Sequence, residues 1–239
     1  MNTMTLNGLT LTAGLMLSAG LTGCASQTAA PIAPISQSEQ TALTPDAVLA
    51  DLMEGNERYA SGTVSNPDIL TRVSATSTGQ YPQATILSCL DSRVPVELVF
   101  DQGIGDIFVG RVAGNVATTE QIGSMEFATK LAGSKLVMVL GHESCGAVKG
   151  ACDGAKMGNL TALLAHINPA IEAVDGYTDD QRNSKNKKYV AEVVDKNVDL
   201  TVELIRSSSD VLREMEEQGQ IKIVGATYNL HDGRVTLAD

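Results

Sequence analysis

The sequence contains no tryptophan, only 3% aromatic residues, and few basic residues for its length. Its 239 residues include 17 Lys and Arg against 28 Asp and Glu, which gives a formal net charge of −11. Nucleic acids and anionic lipid headgroups attract basic surfaces. The excess of acidic residues therefore argues against nucleic acid as a binding partner and, more weakly, against electrostatic attraction to a membrane. Hydrophobic residues still make up 43% of the chain, so it can bury a substantial core. The length fits one compact domain or two small ones.

Charged side chains are also absent from the first 23 residues, which are largely apolar or small from Leu6 onward. Such a stretch is typical of an export signal, and its glycines make it a poor membrane-spanning helix. It ends in Leu21-Thr22-Gly23-Cys24, which resembles the lipobox of bacterial lipoproteins. We therefore predict a signal peptide over residues 1–23 and a periplasmic protein whose membrane contact is a lipid on Cys24. An uncleaved anchor or a misassigned start is the alternative.

The residues after Cys24 are rich in Ala, Ser, Gln and Pro and show no hydrophobic period. We therefore predict a flexible tether over residues 24–42 and a folded domain over residues 43–239. The first helix of that domain should begin at Thr44, a capping residue followed by proline, and should end before Gly62.

Downstream of that helix, short apolar runs alternate with longer amphipathic segments. The apolar runs predict buried strands at residues 84–88, 106–109, 135–140 and 221–228. Apolar residues at helical spacing predict helices at residues 118–131, 160–174, 188–206 and 211–217. A turn at residues 231–233 can return the chain as an edge strand over 234–237. This alternation predicts an α/β fold with a mainly parallel sheet of four to five strands, flanked by α-helices.

The chain has only four cysteines, and Cys24 belongs to the predicted lipid site. The other three, Cys89, Cys145 and Cys152, are an odd number, which a pure disulfide framework would not use without leaving a free thiol. Cys89 ends the first predicted strand, while His142 and Cys145 follow the third in a glycine-bounded turn. Ligands bind at the carboxyl ends of strands in an open parallel sheet, so both groups stand where a site forms.

Two thiolates and one imidazole are ligands that Zn²⁺ prefers, and three protein ligands leave a fourth position for water. A Cys89–Cys145 disulfide, or cysteines packed as small hydrophobes, would fit the same residues. Zinc is favoured because Asp91 and Arg93 follow Cys89 at alternate positions and can reach the open position of the metal. A carboxylate beside a guanidinium stays ionised and can orient water. The ordinary alternative is a surface ion pair.

Two motifs resemble those of the β-class carbonic anhydrases: residues 89–95, Cys-Leu-Asp-Ser-Arg-Val-Pro, and residues 141–147, Gly-His-Glu-Ser-Cys-Gly-Ala. The resemblance runs from about Leu52 to Leu237, with supporting matches at residues 55–59, 111–115, 224–228 and 233–235. It implies one Zn²⁺ per chain, bound by Cys89, His142 and Cys145, and a catalytic dyad of Asp91 and Arg93. The implied reaction is reversible hydration of carbon dioxide to bicarbonate and a proton, through zinc-bound hydroxide that the dyad orients.

The resemblance also points to a subgroup and to a substrate pocket. Residues 78–82 resemble the plant-like subgroup, in which a glutamine at the position of Gln80 bonds the substrate. The bicarbonate-regulated subgroup uses a tryptophan, which this chain lacks. We therefore expect water on the zinc, with Asp91 as a fourth ligand only in a closed, silent state. The remaining implied pocket residues are Phe108, Ala113 and Phe127 on the apolar side and the Gly146 N–H facing the anion. Ordinary core packing is the alternative for both phenylalanines.

Members of the family assemble as dimers or larger even oligomers with the active site near the subunit boundary, so we expect a homodimer or a higher even oligomer. Other functions remain open at this point. A zinc hydrolase for CS2 or COS would use the same fold. A non-catalytic exported scaffold would not need Asp91 and Arg93, and a disulfide-stapled exported domain would hold no metal.

Overall fold

The computed structural model describes residues 33–65 and 68–238, together with Met1 and Thr3. The predicted signal peptide and Cys24 therefore fall almost wholly outside the described residues. Five strands form one sheet in the order β2-β1-β3-β4-β5. Their bounds are β1 Ala84–Ser88, β2 Ile107–Arg111, β3 Leu136–His142, β4 Lys222–Tyr228 and β5 Val235–Leu237. Strands β1 to β4 pair in parallel, and β5 pairs antiparallel with β4. The predicted mainly parallel α/β sheet is confirmed.

Ten α-helices are present in the described part of the chain. They are α1 Gln37–Ala42, α2 Pro45–Ala60, α3 Ile69–Thr76, α4 Val96–Val99, α5 Thr119–Glu126, α6 Gly146–Cys152, α7 Gly158–Ala165, α8 Asn168–Ala173, α9 Lys187–Ser208 and α10 Asp210–Glu217. As predicted, Thr44 caps α2, because its hydroxyl accepts a hydrogen bond from the Ala47 N–H. Within the described residues, no helix is long and apolar enough to cross a lipid bilayer.

The sheet is buried on both faces, and alternation along β3 shows it. Leu136, Met138 and Leu140 pack into a core with α2 and α4, whereas Val137 and Val139 pack into a second core with α5, α9 and α10. Successive strand residues point to opposite faces, so a strand that is apolar at every position needs a cover on each side. A third apolar cluster joins α6, α7, α8 and the start of α9 beyond the carboxyl ends of β1 and β3.

The predicted tether is wrong at its carboxyl end, because residues 37–42 form α1. Ser36 and Glu39 form a capping box at its start, each side chain accepting from the other residue's N–H. The buried Gln40 anchors the helix, since its Nε2 donates to the carbonyls of Pro82 at 2.8 Å and Ala132 at 2.9 Å. This helix is held by a polar side chain, and a search for hydrophobic periodicity does not detect such an anchor.

Two predicted helices are interrupted. The segment 160–174 divides into α7 and α8, because Pro169 in the first turn of α8 has no N–H to continue the earlier helix. The segment 118–131 divides into α5 and a π-helical turn, Phe127–Leu131, and ends at Gly133 as predicted. Helices α3, α4 and α6 are additions that the apolar pattern did not predict.

Candidate metal centre

Cys89, His142 and Cys145 meet at the carboxyl ends of two adjacent strands. Cys89 directly follows β1, His142 ends β3, and the parallel register places Ser88 beside Leu140. Cys145 comes back to the same point through a turn in which Ser144 has a φ of 54°. The ligand atoms of the three residues all lie within 4.8 Å of one another. The sequence prediction that these residues converge is therefore confirmed.

The two cysteines are free thiols among the described residues. Their Sγ atoms lie 3.9 Å apart, about twice the length of a disulfide bond. Both side chains are almost fully buried, with 4% exposure at Cys89 and 1% at Cys145. The structure thus brings the sulfurs together at a separation that suits two ligands of one ion better than a covalent pair.

His142 supplies an imidazole nitrogen that has no partner among the residues that the structure describes. Its Nδ1 lies 2.9 Å from the Glu143 carbonyl, an acceptor, so Nδ1 carries the proton and Nε2 presents a lone pair. The side chain is fully buried, and Nε2 has no hydrogen-bond partner within the described chain. Leaving such an atom unsatisfied costs about 1–3 kcal/mol. A metal ion would satisfy it, and a histidine ligand whose other nitrogen donates to a carbonyl is the usual arrangement at such sites.

The two thiols are electrostatically linked. A hydrogen bond from Cys145, opposed by burial and assisted by His142 and the Gly114 N–H, lowers the pKa of Cys89. The same hydrogen bond and burial raise the pKa of Cys145. Without a cation the pair therefore retains a proton, because two buried negative sulfurs repel each other. A divalent cation would displace that proton and hold both sulfurs as thiolates.

Asp91 and Arg93 pair beside this cluster. Arg93 donates from Nε to Oδ1 at 2.9 Å and from Nη2 to Oδ2 at 2.7 Å, and its backbone N–H also donates to Oδ1 at 2.9 Å. These bonds hold the pKa of Asp91 well below its usual range. Oδ2 lies 3.8 Å from His142 Nε2, so an ionised carboxylate stands at the edge of the ligand cluster.

Two residues whose individual roles the sequence did not reveal support the ligand loops. Arg111, at the end of β2, donates from Nε to the Cys89 carbonyl at 3.0 Å and from Nη2 to the Asp91 carbonyl. Asn197, on α9, donates from Nδ2 to the Gly114 carbonyl at 2.9 Å. Asn197 interrupts a stripe of buried aliphatic residues, and that interruption is the sequence signal that could have drawn attention to it.

The proposed pocket residues fall into two groups within one chain. Gly146 directly follows Cys145, and Ala113 precedes the Gly114 N–H that contacts Cys89. Both therefore lie at the metal end of the sheet. Their stated roles toward substrate stay predictions.

Phe108, Phe127 and Gln80 form the second group. Phe108 pairs with Thr85 at the other end of β1, three residues or about 10 Å along β2 from Arg111. Phe127 packs edge-on against Phe108, with ring centroids 6.3 Å apart, and is 55% exposed. Gln80 is exposed and precedes the amino end of β1. The structure does not bring this group to the cluster of the same chain.

Comparison with known proteins gives a consistent result. The family model described as carbonic anhydrase matches residues 84–235. Carbonic anhydrase 2 of Mycobacterium tuberculosis is 36% identical over 197 residues, covering 82% of this chain and 93% of that protein. The carbonic anhydrase of Mycolicibacterium smegmatis is 34% identical over 200 residues, covering 81% of this chain and 93% of its own.

Solved structures share the fold at lower identity. A β-carbonic anhydrase of Aspergillus fumigatus aligns with a TM-score of 0.60 and 22% identity, over 81% of this chain and 90% of that one. A tetrameric β-carbonic anhydrase of Sordaria macrospora aligns with a TM-score of 0.59 and 21% identity, over 80% of this chain and 96% of that one.

Proposed function

Since this chain belongs to the carbonic anhydrase family and has the β-class fold, we propose that it hydrates carbon dioxide reversibly at a zinc ion bound by Cys89, His142 and Cys145. The observation that carries the proposal is the buried Nε2 of His142, which has no partner in the described part of the chain and lies beside two thiols whose sulfurs are 3.9 Å apart. This donor set fits Zn²⁺, for which two thiolates and one imidazole leave a fourth position free. Zinc held in this way supplies Lewis acidity, which makes water acidic enough to act as a nucleophile near neutral pH.

Asp91 would then orient the nucleophile. The Arg93 guanidinium keeps the pKa of this carboxyl low, so it is ionised and acts only as an acceptor of hydrogen bonds. The Asp91 Oδ2 atom lies 3.8 Å from His142 Nε2, at the open side of the cluster. There it can accept a hydrogen bond from the attacking water or hydroxide and so turn the oxygen lone pair of that nucleophile toward carbon dioxide. Misplacing a reacting group by about 1 Å can cost about 100-fold in rate, which is the scale on which an orienting carboxylate contributes.

The pairing with Arg93 also bears on the state of the centre. Arg93 engages both carboxylate oxygens of Asp91 through three hydrogen bonds. Moving Asp91 onto the metal would break at least part of this arrangement. The contacts therefore favour the open, water-accepting form and the plant-like subgroup, with Asp91 as a fourth ligand only in a closed state.

We further propose that the working enzyme is a homodimer or a larger even oligomer. The metal centre of the same chain lies at the end of the sheet opposite to Gln80, Phe108 and Phe127. These three residues can therefore line the carbon dioxide pocket only if they meet the metal centre of another copy. Within the described residues, β2 pairs on one side only, and Phe127 beside it is largely exposed. The relatives from Sordaria macrospora are tetrameric, which supports such an assembly.

Export also stays a proposal. The uncharged apolar segment over residues 1–23 and Cys24 after it support a periplasmic enzyme anchored by a lipid on that cysteine. Mass spectrometry of the amino-terminal peptide from the native host would show a mature chain that begins at acylated Cys24. A peptide that still carries residues 1–23 would overturn this proposal.

The catalytic proposal is tested by zinc analysis and stopped-flow carbon dioxide hydration on the full-length protein. We expect about one zinc per chain, and in Asp91→Ala a hydration rate about 100-fold lower with the zinc retained. Asp180→Ala, a change of an exposed aspartate far along the sequence, is the matched control and should keep full activity. A protein without zinc, or one with zinc and no hydration activity, would overturn the proposal.

A further inference from the structure

Helix α9 carries a buried amide on its apolar face. Asn197 is 3% exposed, and its neighbours on the stripe are mainly valines that pack against the sheet and the third apolar cluster. Burying an amide is costly unless it is hydrogen-bonded. Asn197 Nδ2 donates to the carbonyl of Gly114 at 2.9 Å, across 83 residues of sequence. The amide therefore has a backbone partner outside its own helix, in the turn at residues 113–115.

Gly114 connects that amide to the metal centre. Its own N–H donates to Cys89 Sγ, with N and S 3.4 Å apart. Gly114 has a φ of 73° and the next residue, Asn115, has a φ of 44°, so the turn contains two successive left-handed residues. Such a conformation costs energy at Asn115 and persists only where surrounding contacts hold it. The bond from Asn197 is one of those contacts.

We propose that Asn197 is a positioning residue for the metal centre, which holds the Gly114 carbonyl and thereby keeps the Gly114 N–H on the Cys89 sulfur. An N–H that donates to a thiolate stabilises negative charge on sulfur and weakens its donation to a bound cation. Two thiolates already neutralise a divalent ion, so this N–H leaves the net charge of the centre unchanged and reduces the electron density that the Cys89 sulfur gives to the cation. The inference rests on the proposed function, since it assigns Asn197 a role toward the zinc that Cys89, His142 and Cys145 would bind.

The chain offers a matched control for this role. Thr201 lies one turn further along the same buried stripe of α9 and is 5% exposed. Among the described residues it makes no hydrogen bond to the turn at 113–115. Replacing it by valine therefore perturbs the packing of α9 without touching the link to Cys89.

The test compares Asn197→Leu with Thr201→Val in the full-length protein loaded with Co²⁺ in place of zinc. In Asn197→Leu the thiolate-to-cobalt charge-transfer band should move to lower energy, because the sulfur lone pair loses its N–H donor. The zinc affinity, measured by competition with a chelator, should fall by about 10- to 100-fold, as for other partners of metal ligands, because the Cys89 sulfur is no longer held in place and this loss outweighs its stronger donation. Asn197→Gln, which keeps an amide donor, should recover part of both changes, and Thr201→Val should change neither.

A second measurement does not depend on any variant folding. In the wild-type protein loaded with ¹¹³Cd, the amide proton of Gly114 should show a scalar coupling to the metal through the N–H···S bond. If a folded Asn197→Leu matches Thr201→Val in band position and affinity, or if the coupling is absent, the role of Asn197 is refuted. If the wild-type protein itself gives no thiolate-to-cobalt band and binds no zinc, the proposed function fails instead.

Discussion

Replacing Gly114 by alanine should destabilise the protein through two separable effects. The first is conformational, because Gly114 has a φ of 73° and a residue with a Cβ pays about 1–2 kcal/mol in the left-handed region. The second is steric, because the new Cβ would lie 2.8 Å from Ile167 Cδ1 and 3.3 Å from Ala147 Cβ. Carbon atoms normally approach no closer than about 3.5 Å, so the buried Ile167 side chain must move.

The expected loss in the free energy of unfolding follows from these effects. Overpacking of this kind costs about 1–3 kcal/mol. Alanine also restricts the unfolded chain, which returns about 0.4–1 kcal/mol. We therefore expect a net loss of about 1–5 kcal/mol, which is the sum of the left-handed and overpacking penalties less the contribution from the unfolded chain. In an Ile167→Val background the clashing Cδ1 is absent, so Gly114→Ala should cost only about 0–2 kcal/mol there.

The assay is urea unfolding of the chelator-treated protein, followed by circular dichroism, for both single variants and the double variant. Gly123→Ala is the control, because Gly123 lies in α5 and an added Cβ meets nothing within 4 Å. That change should be neutral or stabilising by up to about 1 kcal/mol. A Gly114→Ala protein within about 0.5 kcal/mol of the wild type would refute the reasoning, since ordinary surface changes stay within that range. A loss that is equal in both backgrounds would refute its steric part.

Two further predictions concern charged residues near the site. Arg111→Met keeps the aliphatic stem but removes both donors to the carbonyls of Cys89 and Asp91, so kcat/KM for hydration should fall by about tenfold or more while zinc content holds; unchanged kinetics would contradict this. Partial desolvation of its carboxyl, reinforced by nearby carboxylates, raises the pKa of Asp195 although the residue is exposed overall, so the folded state binds its proton more tightly than the unfolded state does. Stability is therefore lost as pH rises from the unfolded pKa of about 3.9 through the folded value. Asp195→Asn keeps an oxygen that accepts from the Thr227 hydroxyl, and its side chain cannot ionise. In urea unfolding, the free energy of unfolding of this variant relative to wild type should therefore increase as the pH rises through that window. A free-energy difference that does not change with pH would contradict the argument.

Local sequence patterns determined much of this protein. The run at residues 84–88 has an apolar centre flanked by small residues and forms β1 with the predicted bounds, and every residue in it is buried between the two covered faces. Thr44 caps α2 because a hydroxyl before Pro45 satisfies a free N–H. The meeting of Cys89, His142 and Cys145 was also predictable, since these residues follow predicted strands and the carboxyl ends of parallel strands meet at one edge.

Contacts between distant segments were decided only by the tertiary structure. Gln40 anchors α1 to the carbonyls of Pro82 and Ala132, 42 and 92 residues away, so composition alone suggested a tether. The register between β1 and β2 decides which residues of β2 lie beside the Cys89–His142–Cys145 cluster. This register places Phe108 opposite Thr85, away from Cys89.

The residues around the candidate metal centre also divide into those that the sequence indicated and those that only the tertiary structure revealed. The sequence indicated the three candidate ligands and the Asp91–Arg93 pair because each motif lies within a few residues. It did not reveal that Asn197 on α9, 83 residues after Gly114, holds the turn that contacts Cys89. A hydrogen bond to a backbone carbonyl leaves no mark on the partner's residue type, so the sequence determined which residues can bind the metal and only the packed fold decided what holds them in place.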